Sequence, residues 1–364
     1  MDRIRSKPYK IVFNKFTEDQ VLNFIRLSEI EYGELESVTN ADHVRFKHLQ
    51  IPYGTSTAMN LEHENEVVGR AMLQPRLISL FGKQFPSAFV TDVLIHPDFR
   101  RPASNFISLM KSIKEAQDFS LVFHTSNNNT ENIYKKLLGF KCPLSLSGFG
   151  FLLNFRKALC KVLKFDSPLF DLFSVPYKFL VLALCKTANI FFDFKITPEE
   201  PGDSHFNEFI QNEAIKNDCE MVRDAKFLKW RFSQSPLWQA NTLYLYRDSK
   251  LCGYVVLQNV ELENLKFTIV MDFALNERLS SLQLLCLRFS IIHKALNDDD
   301  DMIFTLLNPL SISSKRFIGF PWIKIPEKYL PHKTPIFIHI KDAAMVNMEN
   351  LSNIHVTLAD LDYF

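Results

Sequence analysis

The chain has 364 residues, 47% of them hydrophobic, and its 42 lysines and arginines nearly balance 41 aspartates and glutamates, for a net charge of +1. One core rarely grows beyond about 250–300 residues, so this length favours two domains. The balanced charge gives no overall basic field, so we expect no nucleic-acid partner. The six cysteines form no C-x-x-C pair, which argues against a zinc ribbon or redox motif, and we expect no metal.

The compartment is predicted from what the sequence lacks. Its first residues lead into no apolar segment of a signal peptide. The longest uninterrupted apolar run, residues 179–185, is far shorter than the ~20 residues that span a bilayer. Single cysteines are typical of buried thiols in a reducing compartment. We therefore expect a cytoplasmic protein.

The first part of the chain alternates helical and strand patterns. Polar–apolar periodicity and turn residues predict the following elements: a helix at 17–31, a hairpin at 55–61 and 66–73, a strand at 89–95, a helix at 106–116, a strand at 121–124 and a short helix at 130–138. A strand–helix–strand crossover in the middle favours a mixed α/β sheet.

The middle of the chain, residues 148–200, is apolar and basic. It predicts two apolar helices, at 149–163 and 170–192, followed by a linker at 198–203. We interpret the helices as a connector packed between two domains. The alternative is that their basic amphipathic surface lies against a membrane, which makes residues 148–195 a candidate peripheral membrane contact.

The second part of the chain predicts a similar alternation. The elements are a helix at 206–217, strands at 242–246, 251–258 and 266–273, a helix at 280–296, and strands at 302–307 and 336–340. Four consecutive aspartates at 298–301 precede one strand. We interpret them as a solvated loop and not as a cation site.

One pattern occurs twice. The first copy begins Gly69-Arg-Ala-Met-Leu-Gln74 and ends Tyr134-Lys-Lys-Leu-Leu-Gly-Phe140; the second begins Gly253-Tyr-Val-Val-Leu-Gln258 and ends Ser314-Lys-Arg-Phe-Ile-Gly-Phe320. The copies span 71 and 67 positions from the first Gly to the last Phe. Nearly equal spacing indicates a duplicated domain.

A strand–loop–helix stretch in the first copy carries candidate chemistry. The first amides of a helix are unpaired donors at the positive end of its dipole, where a pyrophosphate binds readily. The candidate cofactor contacts are the backbone of Val93, Leu94 and Ile95, the guanidinium groups of Arg100 and Arg101, and the small residues of the loop, Ala103, Ser104 and Asn105.

Two motifs in this copy resemble a known family. The stretch Val93-Leu-Ile-His-Pro-Asp-Phe-Arg100 and the helix after it resemble the acetyl-CoA-binding segment of the GCN5-related N-acetyltransferase (GNAT) superfamily. Asn127 and the Tyr134–Phe140 motif resemble the motif that follows it. The resemblance covers residues 66–140 and is fainter over 242–340. In the loop, Ala103 stands for a family glycine, Asn105 for a small residue, and Pro102 removes one amide donor.

Two further motifs resemble tandem GNAT-like proteins found with surface-polysaccharide genes. They are Leu228-Lys-Trp-Arg-Phe232 and the tail Thr357-Leu-Ala-Asp-Leu-Asp362. The resemblance implies an α/β fold of two GNAT-like lobes from a duplication. Residues 1–147 would be the acyl-CoA-binding domain, 148–200 a helical connector and 201–364 a degenerate lobe.

The resemblance and the chemistry of acyl transfer assign candidate roles. An amine that attacks a thioester must lose a proton, and the leaving thiolate must be protonated or stabilised. Tyr134 is the candidate acid, with a packed aromatic as the alternative; Asp92 is the candidate base or amine anchor, or else a structural carboxylate. Asn127 could bond the pantetheine arm or form a turn. His124 and Asp272 are candidate acceptor contacts, and His124 could instead be a core histidine.

The predicted function is that of an N-acyltransferase. It would move an acyl group, most simply acetyl, from acyl-CoA to an amine, such as an amino sugar of a surface glycan. One alternative is a transferase resembling FemABX proteins, which use aminoacyl-tRNA; the neutral charge argues against it. The other is a CoA-binding module without catalysis, which the altered loop leaves open.

Overall fold

The computed structural model describes residues 9–126, 130–157, 160, 167–190, 195–262, 264–330, 333–342, 345 and 352–361. Its strands are β1 (Lys10–Lys15), β2 (Thr57–His63), β3 (Glu66–Leu80), β4 (Lys83–Ile95), β5 (Leu121–Thr125), β6 (Lys141–Leu152), β7 (Lys195–Thr197), β8 (Cys219–Met221), β9 (Asn241–Arg247), β10 (Lys250–Leu262), β11 (Leu265–Leu275), β12 (Met302–Leu307), β13 (Ile323–Lys324), β14 (Thr334–Ile340) and β15 (Ile354–His355). Its α-helices are α1 (Val21–Tyr32), α2 (Glu36–Thr39), α3 (Ala41–His48), α4 (Ser104–Ser112), α5 (Asp171–Ile190), α6 (Asp203–Asn212), α7 (Ala225–Leu228), α8 (Ser281–Asn297) and α9 (Ile312–Phe317).

One mixed sheet runs through the described part of the chain. Its order is β1-β2-β3-β4-β5-β14-β6-β12-β11-β10-β9-β7. In the first half β2, β3 and β4 are antiparallel and β4 is parallel to β5. In the second half β9, β10 and β11 repeat the antiparallel meander and β11 is parallel to β12. The predicted mixed α/β class with two similar lobes is confirmed.

The two lobes exchange strands at the centre of the sheet. Strand β14, from the second half of the chain, lies between β5 and β6. Strand β6, from the first half, lies between β14 and β12. The sequence boundary drawn at residues 147 and 148 therefore falls inside β6.

The helix predicted from residue 149 is wrong at its start. Gly148 and Gly150 belong to β6, where a side chain would collide: a Cβ on Gly150 would lie 2.5 Å from the Ile303 carbonyl oxygen. Close backbone approach of this kind is a common use of glycine in a strand. An apolar run of this kind does not distinguish a strand from a helix, because a strand buried on both faces lacks the polar–apolar alternation of a half-exposed strand.

The second predicted connector helix is confirmed as α5. Val181 and Cys185 of α5 are buried in the same apolar cluster as α8, and the Tyr177 hydroxyl donates to the Leu152 carbonyl of β6 at 2.6 Å. The helix therefore packs on the second lobe and the central strand. Within the described residues no helix is both long and apolar enough to cross a membrane.

The Trp230 motif joins the first lobe to the tail of the chain. The Trp230 indole donates to the Phe46 carbonyl of α3 at 3.1 Å and stacks on the Phe46 ring. The Arg231 guanidinium donates to the carbonyls of Ala359 and Leu361, at 3.1 and 2.6 Å. Two motifs that lie over 120 residues apart in the sequence therefore form one contact.

Candidate functional site

The parallel strands β4 and β5 separate part-way along their length. They are paired only where Ser87, Ala88 and Phe89 face β5. Beyond Phe89, β4 continues to Ile95 on its other partner β3, while β5 ends at Thr125. The ladder between the two strands therefore ends at Phe89, and the space between their unpaired ends is called the β4–β5 cleft.

A β-bulge lies at the mouth of this cleft. Thr91 pairs with Met72 and Leu94 pairs with Arg70, so Asp92 and Val93 both stand opposite one residue of β3. Asp92 has φ +49°, an uncommon value for a residue other than glycine. A bulge disrupts the ladder locally and re-aims backbone groups. The backbone at Val93–Ile95, predicted to contact a thioester, thus lies at the start of the cleft.

The predicted strand–loop–helix follows the bulge. Ile95 ends β4, a 3-10 turn spans Pro97–Phe99, and α4 begins at Ser104. Ala103 caps α4 with φ −58°, so alanine in place of the family glycine needs no left-handed backbone. Ala103 and Ser104 are exposed, while the amide of Asn105, the second residue of α4, already donates to the Pro102 carbonyl at 3.2 Å.

The polar residues of the loop divide into structural and exposed ones. The Arg100 Nε donates to the Ile95 carbonyl at 2.9 Å, and its guanidinium pairs with Glu31. Asn105 is buried and donates to the Phe99 carbonyl at 2.8 Å, which fixes the loop. Arg101 is exposed and is the guanidinium of this loop best placed to meet an anion.

The structure brings His124 and Tyr134 together on the β5 side. Their ring centroids are 4.0 Å apart, and Phe337 of β14 packs on both. Burial lowers the pKa of His124 to about 4, so the ring is neutral at physiological pH. Burial raises the pKa of Tyr134, so its phenol stays protonated. The His124 Nδ1 lies 3.0 Å from the Thr125 carbonyl, while Nε2 is buried and has no hydrogen-bond partner within the described ranges.

The positions of His124 and Tyr134 in their secondary-structure elements explain why the two rings meet. His124 is next to last in β5, and Tyr134 lies in a π-helical turn, Ile133–Leu137, where a short helix was predicted. Because β14 borders β5, Phe337 from the other half of the chain covers both rings. Asn127, the predicted pantetheine contact, lies outside the described residues.

Asp92 lies in a buried cluster with two basic residues of α3. Lys47 Nζ is 2.9 Å and His48 Nε2 is 3.1 Å from a carboxylate oxygen of Asp92. Burial opposes ionisation, but Lys47 and then His48 hold the pKa of Asp92 well below its usual range. The carboxylate therefore stays ionised and is a weak base. Its partners were missed in the sequence, since a lysine and a histidine on a short polar helix usually face solvent.

Arg70 adds a third basic group beside this cluster. Its guanidinium donates to the Phe24 carbonyl at 2.5 Å and to the Ser28 hydroxyl at 2.6 Å, and it lies over the Phe24 ring. Burial lowers the pKa of Arg70 to about 10, with Asp92 opposing the shift. The repeated Gly-Arg pattern signalled the strand but not this contact with α1.

In the second lobe, Asp272 lies in a different buried network. The Arg223 Nε donates to both Asp272 oxygens, at 2.9 and 3.0 Å. The hydroxyls of Tyr254 and Thr357 donate to the same carboxylate, at 2.7 and 2.8 Å. Asp360 accepts from the Arg223 guanidinium at 2.7 Å. Asp272, which the sequence predicts as an acceptor contact, is fully buried within this network.

The structure does not bring Asp92 and Asp272 together. The chain direction alternates from β5 through β14 and β6 to β12, so β12 runs opposite to β5. The two parallel pairs, β4–β5 and β11–β12, therefore point in opposite directions. Their carboxyl ends lie at opposite ends of the strands of the sheet. A single acceptor site bounded by both aspartates is not formed.

A second cleft lies near the end of β11, between the second lobe and the β3–β4 hairpin of the first, which contributes Ser79 and Gln84. Its volume is about 520 Å³, and its walls include Phe273, Ser313, Glu220 and His355. His355 is buried, and its ring lies against the Phe273 ring, with 5.2 Å between the ring centroids. Ser314, the counterpart of Tyr134, is buried and bonds the hydroxyl of the helix cap Ser311 at 2.7 Å. The second copy of the motif therefore has no tyrosine at the position of Tyr134.

No protein-family model matches the chain, and no curated protein is similar to it in sequence. The fold is similar to solved structures. A GCN5-related N-acetyltransferase from Anabaena variabilis is 11% identical with a TM-score of 0.57, covering 91% of this chain and 73% of that one. One from Kribbella flavida is 13% identical with a TM-score of 0.55, covering 92% and 72%. N-myristoyltransferase of Saccharomyces cerevisiae, with bound myristoyl-CoA, is 12% identical with a TM-score of 0.56, covering 100% and 86%. The architecture is therefore the GNAT fold, in the two-lobed form.

Proposed function

We propose that the protein is an N-acyltransferase that takes its acyl group from acyl-CoA and binds the cofactor in the first lobe. The observation that carries the proposal is the cleft between β4 and β5. It combines a bulged strand, the exposed start of helix α4 beside Arg101 and a protonated Tyr134. The fold neighbours, which include an N-myristoyltransferase with bound myristoyl-CoA, support the same chemistry.

The reaction follows from the placement of these groups. A backbone amide at Val93–Ile95 would donate to the thioester carbonyl and stabilise the oxyanion that forms on it. The acceptor amine attacks, the new C–N bond forms and the C–S bond breaks. Tyr134 would donate its proton to the leaving thiolate.

The roles of the remaining residues follow from their charges. His124 Nε2 is a buried lone pair without a partner within the described residues, and we assign it a hydrogen bond from the acceptor amine. Asp92 is already neutralised by Lys47, so its main role is to fix the bulge. The proton lost by the amine would then pass to water, and a proton from water would restore the Tyr134 phenol.

For the finer identity we propose an acetyl donor, an amino sugar of a surface glycan as acceptor, and the cytoplasm as compartment. Support for the acceptor is the likeness of the Trp230 motif and the tail to tandem GNAT-like proteins of polysaccharide loci. In this structure the two motifs contact each other. The lobe boundaries at residues 1–147 and 201–364 stay part of this proposal.

Replacing Arg101 with alanine is expected to weaken CoA binding about tenfold. An exposed guanidinium beside a helix N-terminus contributes one charge-assisted bond to a phosphate. Calorimetry with CoA, acetyl-CoA and a longer acyl-CoA measures the effect. Arg247→Ala, an exposed arginine of the second lobe, is the matched control. The cofactor site is misplaced if Arg101→Ala binds like the native chain, or if CoA binds but a His355→Phe change abolishes binding.

Tyr134→Phe is expected to lower turnover by about 10²–10⁴-fold and to leave CoA affinity nearly unchanged. The phenyl ring keeps the packing against His124 and Phe337, so the fold survives. Release of free thiol with a panel of amino-sugar acceptors measures turnover. Equal turnover in the variant means that Tyr134 is only a packed aromatic. CoA binding without turnover in the native chain, over the whole panel, favours a binding module.

A further inference from the structure

Helix α5 has two faces with different surroundings. Its inward face, with Tyr177, Val181 and Cys185, follows the 3–4 residue spacing of a packed helix and rests on α8 and β6. A surface helix ordinarily carries polar residues on its opposite face. In α5 the opposite face is apolar as well.

The outward face of α5 exposes large apolar side chains along its whole length. Phe179 is 68% exposed and Leu172 is 67% exposed. The full set is Leu172, Phe173, Val175, Phe179, Leu180, Leu184 and Ile190. Soluble monomers rarely expose a contiguous apolar patch of more than a few hundred Å², and a larger one marks a partner or a membrane.

The charges beside this face are basic. The exposed charged side chains described on α5 are Lys178 and Lys186, and Lys178 has only a long contact of 3.9 Å with exposed Asp299. Across residues 155–190 the sequence has six basic residues and two acidic ones, although the whole chain is nearly neutral. An anionic surface complements this charge. An isologous contact with a second copy would instead place the lysines of both copies in one interface.

Helix α5 suits the plane of a bilayer surface better than its interior. Its 20 residues are long enough to span a bilayer but not apolar enough, and its inward face is already packed. Aromatic and leucine side chains that enter the headgroup boundary, with lysines at its edge, are typical of interfacial helices.

We propose that the outward face of α5 binds the surface of an anionic lipid bilayer, with its apolar side chains inserted and Lys178 and Lys186 at the headgroups. This placement is independent of acyl transfer.

Sedimentation of the full-length protein with vesicles tests the proposal. We expect binding to phosphatidylcholine vesicles containing one third phosphatidylglycerol, and weaker binding to phosphatidylcholine alone. The double variant Phe173→Glu/Phe179→Glu should lose at least about tenfold in partitioning, because charge at the boundary opposes insertion. Lys178→Ala/Lys186→Ala should lose affinity only for the anionic vesicles, since lysines near such a surface each add attraction.

The matched control is Leu22→Glu on α1, since Leu22 is 74% exposed and lies on another helix. It should bind vesicles like the native protein. All variants change exposed residues, so equal melting temperatures should show that they are folded. The proposal is overturned if the native protein does not bind anionic vesicles or if Phe173→Glu/Phe179→Glu binds as well as the native chain. It is also overturned if light scattering shows a dimer that this variant dissociates.

Discussion

Replacing Arg223 with methionine is expected to lower the free energy of unfolding by about 3–5 kcal/mol, the usual cost of removing one partner from a buried ion pair. The change leaves Asp272 and Asp360, both fully buried, without their cation. It also removes the hydrogen bond that the Arg223 guanidinium donates to the Thr357 hydroxyl at 3.1 Å. Urea denaturation measures the loss.

Two further variants decide whether charge is the cause. Arg247→Met, an exposed arginine with a 3.9 Å contact to Asp248, should change the unfolding free energy by less than about 1 kcal/mol. The triple change Arg223→Met/Asp272→Asn/Asp360→Asn removes every formal charge and should recover much of the loss, since neutral replacements of buried pairs are often tolerated. A triple variant as unstable as Arg223→Met would point to packing instead.

The Arg223→Met defect should also depend on pH. Burial raises the pKa of Asp360, and Arg223 opposes that shift, so removing Arg223 raises this pKa further. For an acid whose pKa is raised in the folded state, the destabilisation grows as pH rises from the unfolded pKa of ~3.9 to the folded value, and it stays at its full size above that value. The loss should therefore be smaller at pH 5 than at pH 8.

Asp92→Asn is expected to lower the free energy of unfolding by about 3 kcal/mol at neutral pH, because Lys47 and His48 lose their buried partner. Asparagine tolerates the left-handed backbone at this position, so the change tests the charge and not the turn. Thermal and urea unfolding measure it. Asp98→Asn, an exposed aspartate six positions on, is the control and should be nearly neutral.

The pH dependence has a defined sign. The pKa of Asp92 is lowered in the folded protein, so its contribution is complete above the unfolded pKa of ~3.9 and is lost as pH falls through the folded value. The difference between native and Asp92→Asn should therefore be present at pH 7 and shrink below about pH 4. A difference that persists unchanged into acid would exclude the ion pair as its cause. If the folded variant is also inactive, Asp92 has a role in the reaction beyond the fold.

Local contacts could be predicted well from the sequence. Gly69 and Gly253 occupy matching positions near the start of two similar hairpins. A Cβ on Gly69 would lie 3.2 Å from the Leu94 carbonyl oxygen, and a Cβ on Gly253 would lie 2.8 Å from that of Ala274. The strand–loop–helix after β4 was found because its turn residues and periodicity lie within about 20 positions. The lobe pattern followed from repeating these local units.

The environment of the candidate site was decided only by tertiary contacts. The pair Lys47–Asp92 joins residues 45 positions apart, and Arg223 meets Asp360 across 137. No local pattern encodes which buried carboxylate meets which cation, because each residue would read as an ordinary surface charge in its own segment.

The sequence by itself determined the mixed α/β class, the duplicated hairpins and the loop that leads into α4, because hydrophobic periodicity and turn chemistry act over a few residues. Only the tertiary structure decided that β14 crosses into the first lobe and covers His124 and Tyr134 with Phe337. It also decided that the strands of the two parallel pairs separate at opposite ends of the sheet's strands. Strand order depends on which edges meet after the lobes collapse, and side-chain alternation is the same on either side of a strand.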